Sequence, residues 1–320
     1  MSRRSGRFQP VKPIGQAPRR VEGIRWLRSD GTPNFSNRVR ERESEIKYIA
    51  TRPVIVTSPT APVLEACESI YYKRIRALPV VNPGSETVEG LLTVMDLVDY
   101  LGGGEKFRII ELRHKNNMFT SLREPVDNIM SKPVVTADWR SPLTKVLELM
   151  VTHSLGVVPI TDTEGRIWGI LTEHDIVRHL MEKTVGVPVK DIMSRNVITI
   201  SLHDPLGKAG KLMVTYGFRR LPVVENGGIV GMLTAKDYVY FFGSHEAFRY
   251  SISGSINEVL DTPVENIMGR EVYTISPDED AGNAATLMAS KGVSSLLVVE
   301  NGELKGIITE RDILYALASS

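Results

Sequence analysis

Four segments of this chain end alike: GLLTVMD (90–96), GILTEHD (169–175), GMLTAKD (231–237) and GIITERD (306–312). A glycine, an apolar pair, a threonine and an aspartate at one offset, four times over, mark an internal repeat, and a repeat constrains architecture before any other feature is weighed. Upstream of each segment, apolar residues recur at i, i+3, i+4 and i+7. They are Val63, Ala66, Cys67 and Ile70; Leu143, Val146, Leu147 and Met150; Leu206, Ala209, Gly210 and Met213; Ala281, Ala284, Ala285 and Met288. That spacing predicts one buried helix face per copy. Pro62 stands as far from Pro79 as Pro142 from Pro159, Pro205 from Pro222, and Asp280 from Leu297, which takes the proline's place in the last copy. There follow an apolar run (LPVV, VPIT, LPVV, LLVV), a turn (NPGSE, DTEG, NGG, NGE) and a second run ending at the threonine, which reads as a hairpin. Each copy therefore reads strand, helix, strand, strand, helix, an α/β (α+β) unit.

The copies span 46–101, 126–182, 189–243 and 264–318, with linkers at 102–125 and 244–263. A longer period joins them in pairs: GGGEKFR (102–108) answers FGSHEAFR (242–249), and PVDNIM (125–130) answers PVENIM (263–268). A unit this small exposes one apolar sheet face and two amphipathic helices, so the copies are expected to pair face to face, two pairs making the protein. With 42% hydrophobic and 24% charged residues the chain is expected to be globular, and without an apolar run of about 18 residues or a secretory leader it reads as cytoplasmic, with no membrane partner. Cys67 is the single cysteine, which excludes a disulfide framework or cysteine cluster. The six histidines share no ligand spacing, so no metal site is expected, and His153 reads as a partly buried structural residue. Charge is concentrated at the start: residues 1–45 hold 11 Lys or Arg against 5 Asp or Glu. This Pro/Gly/Arg-rich extension lacks an apolar period and reads as flexible, or as an arm for nucleic acid or an acidic partner.

Four concordant copies of this pattern resemble the cystathionine beta-synthase (CBS) domain, and pairs of them resemble Bateman modules with pseudo-twofold symmetry. The resemblance covers residues 46–318, and four such domains in one chain are similar to the gamma subunit of the AMP-activated protein kinase. It implies clefts between paired domains that bind adenine nucleotides, and no catalysis by the domain itself. AMP, ADP or ATP are the implied ligands, with S-adenosylmethionine as an alternative adenosyl compound and no catalytic cofactor.

Within that frame Asp96, Asp175, Asp237 and Asp312 are expected to hold ribose, because a carboxylate at a helix start offers two acceptor oxygens to a cis-diol. Thr93, Thr172, Thr234 and Thr309 are expected to cap the helices. Such a box favours the longer Glu or Gln at its third position, and all four copies have Asp, which favours ligand binding as the reason for the acid. The resemblance further assigns phosphate contacts to Arg76, Arg219 and Arg220, whereas Gly156, Val157, Ser294 and Ser295 at the same register leave repeats two and four poorer in cations. Thr57, Thr136, Thr199 and Thr274, at strand ends, are expected on the adenine side.

Three alternatives compete with a nucleotide sensor acting on a regulated partner. Nothing supports an enzyme: no nucleophile–base pair, P-loop lysine or fused catalytic domain is visible, so none is expected. A nucleic-acid-associated protein would use the basic arm, and a structural scaffold would use the repeats only to form a homodimer.

Overall fold

The computed structural model describes residues 46–180 and 186–319, so the basic extension expected over 1–45 lies outside the described residues. Repeat one comprises α1 (Ile46–Ile49), α2 (Val63–Lys73), β1 (Ala77–Val81), β2 (Val88–Thr93) and α3 (Val94–Leu101). The segment after it folds as α4 (Phe107–Ile109), a π-helical turn over Ile110–His114, and α5 (Met118–Ser121). Repeat two contains β3 (Ala137–Asp138), α6 (Leu143–Thr152), β4 (Val157–Thr161), β5 (Ile167–Thr172) and α7 (Glu173–Leu180). Repeat three contains α8 (Val189–Ile192), β6 (Ile200–Ser201), α9 (Leu206–Tyr216), β7 (Arg220–Glu225), β8 (Gly228–Thr234) and α10 (Ala235–Gly243). After α11 (Ile256–Leu260), repeat four supplies β9 (Thr274–Ile275), α12 (Ala281–Lys291), β10 (Ser295–Glu300), β11 (Glu303–Thr309) and α13 (Glu310–Ser319).

The four hairpins share one register. Pro79 faces Leu91, Pro159 faces Ile170, Pro222 faces Met232 and Leu297 faces Ile307, and each hairpin bulges one residue further along. In repeats three and four the turn is two residues long, and both residues have positive φ: Asn226 and Gly227, then Asn301 and Gly302. Asn-Gly suits that left-handed pair, whose twist matches the strands it joins. A short strand runs parallel to the hairpin in repeats two to four, whereas in repeat one it shrinks to a single bridge, Thr57 with Val80. Every apolar position expected on the four helix faces is buried.

The chain forms two compact units, one from the stretch ending at Val54 with Val135–Val197 and Val272–Ser320, the other from Ile55–Val134 with Ile198–Glu271. In the second unit α2 packs on α10 and α3 on α9, so repeats one and three share a core containing Leu78, Leu92, Leu97, Leu221, Leu233 and Phe242. In the first, α7 packs on α13 and α12, so repeats two and four share a core containing Leu147, Val158, Leu171, Ala284, Leu296 and Ile313.

Consecutive repeats are joined in a different way, by exchanging their opening segments. Thr51 of repeat one bridges Ile170 of repeat two, and Ser131 of repeat two bridges Leu91 of repeat one. Ser194 of repeat three likewise bridges Ile307 of repeat four, and Gly269 of repeat four bridges Met232 of repeat three. Arg52 and Lys47 each lie 4.3 Å above an indole, Trp168 and Trp139 respectively, fastening the first of these segments. The leading glycine of each seven-residue signature lies under such a crossing. A Cβ on Gly231 would come 2.6 Å from the Gly269 carbonyl oxygen, and one on Gly306 would come 2.6 Å from that of Ser194.

The two segments read as linkers are folded and packed. Phe107, Ile110, Met118, Ala247, Ile256 and Val259 from them are buried in the core of repeats one and three. Buried Glu124 ties the first segment together, with Arg113 at 2.9 Å, His114 at 2.6 Å and Asn128 at 2.7 Å.

Candidate functional site

The threonine of each signature is the last residue of a strand and the aspartate lies in the first turn of the following helix. Thr93 and Thr234 have extended backbones (φ −112° and −115°), which turns their hydroxyls onto the helix start. Thr93 Oγ1 accepts the N–H of Asp96 at 3.2 Å, and Oδ2 of Asp96 accepts the N–H and hydroxyl of Thr93 at 2.8 and 2.6 Å. The same three bonds recur at Thr172 with Asp175, Thr234 with Asp237, and Thr309 with Asp312. This corrects the expectation that aspartate is too short for a capping box. An extended threonine brings its own N–H within reach, so the shorter acid closes the box at one carboxylate oxygen. In all four copies capping uses one carboxylate oxygen, Oδ2.

The arginine positions flank these helix starts. The carbonyl of Arg76 accepts the N–H of Val94, the first residue of α3, at 3.1 Å, and that of Arg219 accepts the N–H of Ala235, the first of α10, at 2.8 Å. Gly156 and Ser294 do the same for Glu173 and Glu310. Arg220 opens β7 opposite Thr234. Arg76, Arg219 and Arg220 are all half-buried. Repeat three therefore brings the backbone of two arginines beside a capping threonine and an acid at one helix N-terminus, and repeat one brings that of Arg76 beside Thr93 and Asp96. At that end the amide dipoles favour anionic groups.

The strand-end threonines are not equivalent. Thr274 faces Leu297, while Thr136 and Thr199 immediately precede Ala137 and Ile200, which face Ile160 and Val223. All three thus stand at the register of the signature proline or Leu297. Thr57 faces Val80, one residue further, so Val56 occupies the equivalent position in repeat one. A one-residue slip turns a side chain to the opposite face of a strand, which separates Thr57 from the other three. His153, expected to be partly buried, is exposed at the end of α6.

Several groups at these helix starts are absent from the sequence-derived set. In repeats two and four the residue after the threonine is a glutamate, and both glutamates are buried. His174 Nδ1 and Glu310 Oε1 lie 2.6 Å apart, and Arg311 donates to Glu173 at 2.7 Å, so α7 and α13 exchange polar contacts with each other's buried glutamate. The signal was available in TEHD and TERD, where repeats one and three carry Val94 and Ala235 instead. Lys106 and Ser131, both bonded to Asp96, were also missed, because neither belongs to the signature. Among the described residues no helix is long and apolar enough to cross a membrane.

The CBS domain family matches residues 44–103, 126–182, 189–243 and 264–319. Uncharacterized protein MJ1225 of Methanocaldococcus jannaschii is 34% identical over 275 residues, covering 85% of this chain and 98% of that protein. A 33.4 kDa protein in the ribosomal RNA operon of Thermofilum pendens is 30% identical over 276 residues, covering 86% of this chain and 92% of its own. The crystal structure of MJ1225, described as a proposed archaeal homolog of g-AMPK, superposes with a TM-score of 0.79 at 33% identity, over 84% of this chain and 98% of that one. A conserved protein from Pyrococcus horikoshii shares the fold at TM-score 0.55 and 23% identity, over 86% of this chain and 100% of that one. With the family matched four times along its length, this chain belongs to the CBS domain family.

Proposed function

We propose that the four repeats form a regulatory sensor of adenine nucleotides, which acts by changing the behaviour of a bound client protein and catalyses nothing itself. The observation that carries this reading is the start of α10. There Asp237 gives one carboxylate oxygen to the cap, and Arg219 and Arg220 flank the same N-terminus. A ribose cis-diol suits the remaining acceptor, and a phosphate suits the arginines with the helix dipole. Asp175 and Asp312 are the corresponding acids of repeats two and four, where Gly156 and Ser294 stand in place of Arg76 and Arg219, so affinity is graded among the repeats. Thr136, Thr199 and Thr274, which share a register, are the strand-end groups proposed for the adenine side. The description of MJ1225 in relation to g-AMPK supports the nucleotide class. Ligand binding would bias an equilibrium between two arrangements of the repeats, the general route by which a site without chemistry transmits a signal.

Calorimetric titration of the purified protein with AMP, ADP, ATP and S-adenosylmethionine tests the reading. Saturable binding of at least one is expected, with unequal sites. A parallel melting experiment separates sensor from scaffold, because a ligand that binds only the native state raises its stability with concentration. If none of the four compounds binds or shifts the melt, the sensor reading falls.

A further inference from the structure

Repeats one and three carry the same helix start, yet their aspartates keep different company. Oδ1 of Asp96 accepts from Lys106 Nζ at 2.6 Å and from Ser131 Oγ at 2.9 Å, while Oδ2 is taken by Thr93. Both oxygens of this buried acid are therefore committed. The internal duplication supplies the comparison. In EKFR and EAFR, Lys106 corresponds to Ala247, which is fully buried and has no charge to offer. In NIMS and NIMG, Ser131 corresponds to Gly269, and the structure confirms the equivalence: Ser131 bridges Leu91 as Gly269 bridges Met232, one hairpin position past the same glycine. Both partners of Oδ1 in repeat one are thus missing from repeat three. Among the described residues nothing bonds Oδ1 of Asp237. Burial pushes the Asp237 carboxyl above the ordinary carboxylate range, and the Thr234 bonds and Lys236 offset only part of that.

We infer that Lys106 and Ser131 are a resident lock on Asp96, so that the unit shared by repeats one and three presents one open ribose-binding carboxylate, Asp237, and one closed one. The inference rests on the reading of these aspartates as ribose ligands. The lock is effective because a ribose hydroxyl is neutral. To bind Asp96 it must displace a charge-assisted bond from an ammonium held in a mostly desolvated place, and such bonds are about twice as strong as neutral ones. The lysine side chain is 27% exposed and the aspartate side chain 9%, so solvent screens the pair little. Binding is thereby made unequal within a symmetric duplication, with Arg76 left beside a helix start whose acid is already occupied. A sensor with one competent carboxylate in this unit responds to a single occupancy there, which gives a graded protein a defined first event.

The test uses the full chain and AMP as titrant, with S-adenosylmethionine in parallel. Asp96→Asn should leave the isotherm within twofold of wild type, whereas Asp237→Asn should weaken one site at least tenfold. Lys106→Ala combined with Ser131→Gly, which rebuilds repeat one in the image of repeat three, should raise the stoichiometry by one. A circular dichroism melt accompanies each variant, so that a lost fold is not read as a lost site. An Asp96→Asn protein that loses as much affinity as Asp237→Asn would overturn the lock while leaving the sensor reading intact. So would a folded double variant with unchanged stoichiometry. Wild-type protein that takes up none of AMP, ADP, ATP and S-adenosylmethionine would overturn the sensor reading, and the lock with it.

Discussion

Asp237 gives one carboxylate oxygen to Thr234, and burial holds its carboxyl above the ordinary carboxylate range. Replacing it with Asn keeps the size and one acceptor but removes the charge. Nucleotide affinity should then fall by roughly 1.5–3 kcal/mol, the range for hydrogen bonds to charged groups, while the ligand-free melt moves little. Calorimetry and melting on the same sample check both halves. The raised carboxyl also sets a pH dependence. Between its unfolded value of about 4 and its raised folded value, the native state binds more protons than the unfolded one, so stability falls as pH rises through that window. Asp237→Asn should lose this component of the slope, which urea midpoints at a series of acidic pH values would show. Ligand binding runs the other way: the ionised acid is the ribose acceptor, so affinity should strengthen as pH rises through the same window.

Helix α9 contains Gly210 on the face predicted to be buried, and intrinsic propensity says alanine there should stabilise by about 1 kcal/mol. The packing of α9 on α3 says the opposite. A Cβ at Gly210 would meet the Gly102 carbonyl oxygen at 2.5 Å, and a backbone atom, unlike a side-chain tip, cannot swing aside. Gly210→Ala should therefore destabilise by about 1–3 kcal/mol, the usual range for overpacking, read as a lower urea midpoint. Gly243 in α10 meets the Cys67 carbonyl in the same way and should behave alike. In both cases periodicity marks the face, and only the neighbouring helix says why the residue must be glycine. The hairpins are the contrary case. Asn-Gly with alternating apolar neighbours sufficed to place the turns of repeats three and four, because a two-residue loop with two left-handed residues is a local matter.

At the scale of the whole molecule, a repeat is not a folding unit. The core of repeat one is built jointly with α9 and α10 of repeat three, its β2 is bridged by the opening segment of repeat two, and its own opening segment contributes Ile46 to the core of repeats two and four. A fragment spanning residues 46–125 should accordingly show no cooperative melt and a collapsed amide proton spectrum, since most partners of its apolar faces lie elsewhere. A dispersed spectrum with a sharp transition would contradict this. The strand–helix–strand–strand–helix order, the buried helix faces and the threonine–aspartate helix starts were legible from residues alone, because each depends on neighbours a few positions apart. Period 3.6, period 2 and capping chemistry are written within single segments. Which repeat's helices pack on which, the exchange of opening segments under the signature glycines, the one-residue offset of Thr57 and the hold of Lys106 and Ser131 on Asp96 were not. Ser131 is 35 residues from Asp96, and the Trp168 that receives Arg52 lies in another repeat. Copies with the same apolar period present similar faces, so periodicity cannot choose among partners; likewise the differences outside the signature, Lys106 against Ala247 and Ser131 against Gly269, acquire meaning only when the chain has brought them to the acid.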